Sequence, residues 1–168
     1  AGNASVDATI RQGEWLHVAY AVSPTGYTIY LNGWEAATGS FSGTPLLFDA
    51  AHPPTIGGDP GAVGGESFRG EIDEVRVWNT TRTGEQIAAN FRRTVSAGEP
   101  GLVSCWRMDE ASGTAVSDLT GVRDGSHNGA VTKVSLQTPV STVETLYVNT
   151  LSGSGPGSLN EVIIRANG

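Results

Sequence analysis

The groups in this chain whose types and spacing could do chemistry are carboxylates and aromatic rings set among apolar strand residues. In Glu71-Ile72-Asp73-Glu74-Val75-Arg76-Val77-Trp78, strand alternation puts Asp73 on the same face as Val75 and Val77, with Ile72, Glu74, Arg76 and Trp78 on the other. A carboxylate among valines is costly when unpaired, so Asp73 needs backbone amides, a cation or a loop hydroxyl. Glu74 and Arg76, two apart on one face, read as a solvated ion pair worth less than about 1 kcal/mol. Trp34 directly follows the turn Asn32-Gly33, where its ring either stands out as a stacking platform for a sugar or packs across the hairpin on Tyr30 or Leu31. His17 shares a strand face with Trp15 and reads as a core or hairpin histidine, while His52 and His127 lie in turn-rich segments without metal-ligand spacing.

Patterns that mark catalysis were not found. There is no serine nucleophile elbow, no His-Glu-x-x-His and no phosphate loop, and Gly153-Ser154-Gly155-Pro156-Gly157 lacks the lysine of a nucleotide cradle. No two carboxylates can be placed at a defined cleft separation, so the expectation is a protein that is not an enzyme. Ten Lys and Arg against 17 Asp and Glu give a net charge of −7 without a basic stripe, which argues against a nucleic-acid partner. No apolar run approaches the ~20 residues that span a bilayer as a helix. The single cysteine, Cys105, lies in Leu102-Val103-Ser104-Cys105-Trp106 and reads as a small buried apolar residue.

Low charge with abundant Gly, Ser, Thr and Asn suits many short strands joined by tight turns. Residues 14–22 form one strand candidate, with Leu16, Val18, Tyr20 and Val22 on one face and Trp15, His17, Ala19 and Ala21 on the other. Neither face is polar, so both need cover. Ser23-Pro24-Thr25-Gly26 makes a turn into a second strand at 27–31, and Asn32-Gly33 predicts a type I′ hairpin. Leu46-Leu47-Phe48 and Thr55-Ile56-Gly57-Gly58 are further short strand candidates, and 59–66 reads as a loop. After Trp78 the period changes: Thr83-Gly84-Glu85-Gln86 is a capping box, and Ile87, Phe91 and Val95 fall four apart on one helical stripe. Arg92 and Arg93 suit the C-terminal end of such a helix, and Glu99-Pro100-Gly101 stops it.

Together, Gly13-Glu14-Trp15-Leu16-His17-Val18-Ala19, Tyr30-Leu31-Asn32-Gly33 and Phe68-Arg69-Gly70-Glu71-Ile72-Asp73-Glu74-Val75-Arg76-Val77-Trp78 resemble the C-terminal half of a laminin G-like domain of the concanavalin A-like class, pentraxins included. The resemblance implies an all-β, antiparallel jelly-roll sandwich, incomplete here, with one short helix near 83–95. The stretch from Gly101 to Gly113, with the Asp- and Gly-bearing turns after it, is similar to another hallmark of that family. It would either close the domain or open a further copy; closure is favoured because an apolar strand needs a sheet edge. The division expected is a jelly-roll domain at 1–131 lacking its N-terminal half, a Ser/Thr/Val/Gln/Pro linker at 132–145, and a truncated unit at 146–168. That last piece, with Gly155, Gly157, Ser158, Leu159, Ala166 and Asn167, resembles the opening of right-handed β-helix domains of secreted bacterial proteins, although Asn160 stands where Arg is common.

Calcium is common in similar modules, and hard oxygen ligands suit it, so the resemblance nominates Asp59, Glu66 and Asp73 as metal ligands. The alternative is that Asp73 only ties a turn together. Concanavalin A-like glycosidases carry the acidic strand motif Glu-x-Asp-x-x-Glu, which Glu71-Ile72-Asp73-Glu74 echoes only weakly. The function implied is an extracellular or cell-surface recognition or adhesion module, part of a larger multidomain bacterial chain. Its partner would be a glycan or an extracellular protein, without membrane insertion, and Trp34 is the ligand-binding candidate. An accessory module of a carbohydrate-active enzyme and a spacer without ligand are the other two roles.

Overall fold

The order of strands in space departs from their order in sequence at one place, and that place decides the architecture. A computed structural model describes residues 11, 13–42, 54–59, 66–127 and 159–166. Strands β1 (Trp15–Ser23), β2 (Gly26–Leu31) and β3 (Trp34–Ser40) form an antiparallel meander. Ser23 Oγ accepts the Gly26 amide at 3.1 Å in the first turn. Asn32 (φ 48°) and Gly33 (φ 80°) make the second, the two positive φ values that a type I′ hairpin requires. Asn32 also fastens the turn to β1: its amide donates to the His17 carbonyl at 2.9 Å, and its side-chain oxygen accepts the His17 amide at 2.9 Å.

The two-residue strands β4 (Gly58–Asp59) and β5 (Glu66–Ser67) pair as a small ribbon. Ile56-Gly57, expected in a strand, is therefore a bend and the two ends of the expected loop are paired, while 60–65 lies outside the described residues. Strand β6 (Gly70–Trp78) then leads to helix α1 (Gly84–Asn90). The capping box forms as the sequence predicts: Thr83 Oγ1 accepts the Gln86 amide at 3.2 Å, and Gln86 Oε1 accepts the Thr83 amide at 3.0 Å. The helix is shorter than expected, ending at Asn90 with Phe91 as C-cap. Ile87, Phe91 and Val95 nevertheless pack into one cluster with Ala19, Ala21, Trp78 and Cys105. The small Ala19 and Ala21 side chains let the helix lie close to the sheet. Gly33 is fixed twice over, by its φ and by a Cβ that would stand 2.9 Å from Phe91 Cδ1.

Strand β7 (Leu102–Trp106) pairs antiparallel with β6, occupying the sheet edge that an apolar strand there requires. Strands β8 (Ala115–Val116) and β9 (Gly125–Ser126) make a second small ribbon. Strand β10 (Leu159–Ala166) returns to the middle of the sheet, giving the order β3-β2-β1-β10-β6-β7. The sequence placed this segment in a separate β-helix-type unit starting at 146; its described part lies inside the sandwich sheet instead. The physical reason is polarity. β1 and β6 each run antiparallel to β10 and therefore parallel to one another, so an antiparallel ladder between them needs a third strand. The strand expected at Leu46-Leu47-Phe48, the linker at 132–145 and the glycines of 153–157 lie outside the described residues.

Candidate functional site

β6 does not keep strict alternation. Glu161 of β10 faces Arg76 and Ile163 faces Asp73, so Glu74 and Val75 together oppose Val162 alone, which is a β-bulge. Glu74 carries the distortion with φ 50°, a region that costs a non-glycine residue roughly 1–2 kcal/mol. Asp73 Oδ1 accepts the Glu74 amide at 2.8 Å, holding the displaced peptide in place. The bulge also corrects the facing expected from sequence. Asp73 lies two β10 partners from Arg76, on the side of His17 and Ala19, and not with Val75 and Val77.

Glu74 and Arg76 are a buried pair, not the solvated one expected. Arg76 is 0% and Glu74 2% exposed. Glu74 Oε2 accepts from Arg76 Nη2 at 2.7 Å and from Arg76 Nε at 3.1 Å. Arg107 Nε stands 3.8 Å from Glu74 Oε1, and the Cys105 thiol 3.8 Å from Glu74 Oε2. Both guanidiniums then reach the chain leaving α1: Arg76 Nη2 donates to the Arg93 carbonyl at 2.7 Å and Arg107 Nη2 to the Val95 carbonyl at 3.1 Å. One carboxylate thus orients two cations that satisfy backbone carbonyls just past a helix end. The chemistry is that of a clamp between sheet and helix. The sequence could have signalled it only through the number of apolar residues flanking the pair, which demand cover on both faces.

His17 lies on the same face, 1% exposed, with its ring centroid 5.0 Å from that of Phe91. Burial, reinforced by the Arg76 charge, holds its imidazole well below the usual 6.5. The unfolded chain therefore binds a proton that the folded chain refuses once the pH falls through 6.5. Stability should be level above pH 7 and decline between pH 6.5 and 5, by at most about 1.4 kcal/mol per pH unit. Thermal melts of the wild type and His17→Phe across that range check this, and the variant should lose most of the slope.

A second carboxylate hub, unforeseen from sequence beyond its turn, organises the stretch after β7. Asp118 Oδ1 accepts the amides of Cys105 (2.9 Å) and Thr120 (3.0 Å), and Oδ2 accepts the Thr120 hydroxyl (2.6 Å) and the Arg123 amide (3.0 Å). Burial opposes its ionisation, but these donors together outweigh burial and hold the carboxyl below its ordinary value. Trp78 is buried, with Arg82 stacked 4.1 Å over its ring. Trp15 and Trp106 are half-buried, and Trp106 Nε1 donates to the Arg123 carbonyl at 2.8 Å.

Trp34 is 81% exposed, beside the hairpin turn at the start of the edge strand β3. Ser23, Thr28, Tyr30, Thr81, Arg82 and Thr83 border a cleft of about 240 Å³ between β2 and the loop that enters α1. Asp59 and Glu66 stand directly opposite one another in the β4–β5 ribbon. Asp73 is not brought to them. Its neighbour Ile72 meets the ribbon, since a Cβ on Gly57 would lie 3.0 Å from Ile72 Cδ1, while Asp73 occupies the His17 side of β6. Among the described residues no three His, Cys, Asp or Glu side chains are grouped to hold a metal ion, and no helix is long and apolar enough to cross a membrane.

A six-stranded antiparallel sheet with a bulged, internally clamped strand and one short covering helix makes this an all-β architecture among the described residues. The chain belongs to the concanavalin A-like lectin/glucanases superfamily, whose laminin G-type model matches residues 1–88 of its 168. No curated protein and no solved structure matches it.

Proposed function

We propose that this chain is a non-catalytic recognition module that binds carbohydrate or another extracellular ligand at the cell surface or outside the cell. The observation that carries the reading is the exposure of Trp34: a large ring left in solvent beside a rigid type I′ turn, where burial would otherwise be favoured. Membership of a superfamily named for lectins supports the same reading. The Tyr30, Thr81 and Arg82 cleft adds hydroxyls and a guanidinium of the kind that hydrogen-bond sugar hydroxyls.

Calcium enters the proposal through Asp59 and Glu66, which the ribbon register sets opposite one another and which would supply hard oxygen ligands. Asp73 accepts the Glu74 amide through Oδ1 and lies on the His17 side of β6, so it stays outside this pair. A glycan-array screen of the chain, run with and without millimolar calcium, tests the function. Selective binding to a glycan class is expected, stronger with calcium. Blank arrays in both conditions would remove the carbohydrate reading.

A further inference from the structure

We propose that two copies of this chain exchange the strand Leu159–Ala166, each placing it between β1 and β6 of the other. The seam is a strand-accepting slot by geometry. Seven register pairs join β10 to β1, from Trp15↔Arg165 to Ala21↔Leu159, and seven join it to β6, from Leu159↔Trp78 to Ala166↔Gly70. Without β10, β1 and β6 present two parallel edges with unpaired backbone groups, and they cannot zip together as an antiparallel pair.

The strand that fills this central position comes last in the described sequence. β1, β2 and β3 are joined by short turns, and β6 pairs with the nearby β7, so both flanks can form from local contacts while the slot stands open. Thirty-one residues, 128–158, separate the last residue of the preceding described segment from Leu159. A chain of that length spans up to about 100 Å when extended, ample to reach a neighbouring molecule. The occupant is a second copy because its Leu159–Ala166 makes the same fourteen register pairs in trans as in cis. Exchange then gains no contacts and loses none, and concentration alone sets the balance. Return of the strand to its own slot does not depend on protein concentration, while exchange grows with it. For a tether of this length the effective concentration is on the order of 1 mM, so the closed monomer prevails at micromolar protein and the exchanged dimer near millimolar.

The test uses the full-length chain and the opposed pair Leu16↔Ile164. Opposed residues of an antiparallel ladder lie about 4.5–5.5 Å apart at Cα, within disulfide reach. The native Cys105 is fully buried and does not compete. A chain carrying Leu16→Cys and one carrying Ile164→Cys are unfolded, mixed and refolded near 1 mM, then oxidised with oxidised glutathione as the two-electron acceptor. A covalent heterodimer is expected as the main disulfide-linked product, capturing up to about half of the exchanged dimers because the chains pair at random, and falling at least tenfold when refolding is done near 10 µM. The double variant Leu16→Cys/Ile164→Cys, refolded near 10 µM, should close within one chain. Closure of the double variant with no heterodimer at either concentration would confine the slot to its own strand and overturn exchange. Failure of the double variant to close would overturn the register on which the proposal stands.

Discussion

Replacing Glu74 with alanine is expected to cost the fold about 3–5 kcal/mol, because it leaves Arg76 buried without its counter-charge. Arg76 is 0% exposed, and Glu74 supplies two short acceptor contacts to it. The guanidinium would keep its bond to the Arg93 carbonyl, yet one carbonyl does not compensate a desolvated cation. Alanine would also inherit φ 50° while losing the carboxylate, so backbone strain remains with nothing to offset it. Replacing both members, Glu74→Leu with Arg76→Met, should recover much of the loss, since a matched apolar pair avoids the desolvation of both charges. Urea unfolding of the single and double variants reads both effects. A loss below about 1 kcal/mol for Glu74→Ala would mean that the pair is solvated after all, as its spacing in sequence alone suggests.

Val162→Pro is the second large effect. Val162 sits at the midpoint of β10, opposite Val18 on one side and the Glu74–Val75 bulge on the other. Proline removes an amide from the strand that, among the described residues, joins β3-β2-β1 to β6-β7, and central strands exclude it for that reason. A loss of about 3 kcal/mol or more is expected, with unfolding becoming less cooperative as the two flanks lose their shared ladder. Thermal unfolding followed by circular dichroism and by tryptophan fluorescence should give separated transitions. Wild-type melting in the variant would show that β10 contributes nothing to the sheet.

The local elements were legible because local chemistry determines them. Asn32-Gly33 encodes its own positive φ values, Thr83 and Gln86 cap α1 within four residues, and the stripe Ile87, Phe91, Val95 reports one packed face even though the helix stops at Asn90. The bulge was not legible. It arises from the register of β6 against a strand some 85 residues further on, so strict alternation put Asp73 on the wrong face and left Glu74 and Arg76 in solvent. The position of β10 was hidden for the same reason: strand polarity across a sheet is a property of the assembled fold. Of the site, Trp34 could be named from its place after the turn, but whether its ring packs across the hairpin or stands in water depends on the twist and bulge of the β2–β3 pair.

The central claim is that this sandwich recognises a ligand through the exposed ring of Trp34. Its most direct test is calorimetric titration of the wild type and Trp34→Ala with the glycan giving the strongest array signal, together with melting curves of both proteins. At 81% exposure the substitution should change stability by less than about 0.5 kcal/mol. The affinity should fall at least about tenfold, the loss of a central aromatic contact. Equal affinities for the two proteins would contradict the claim.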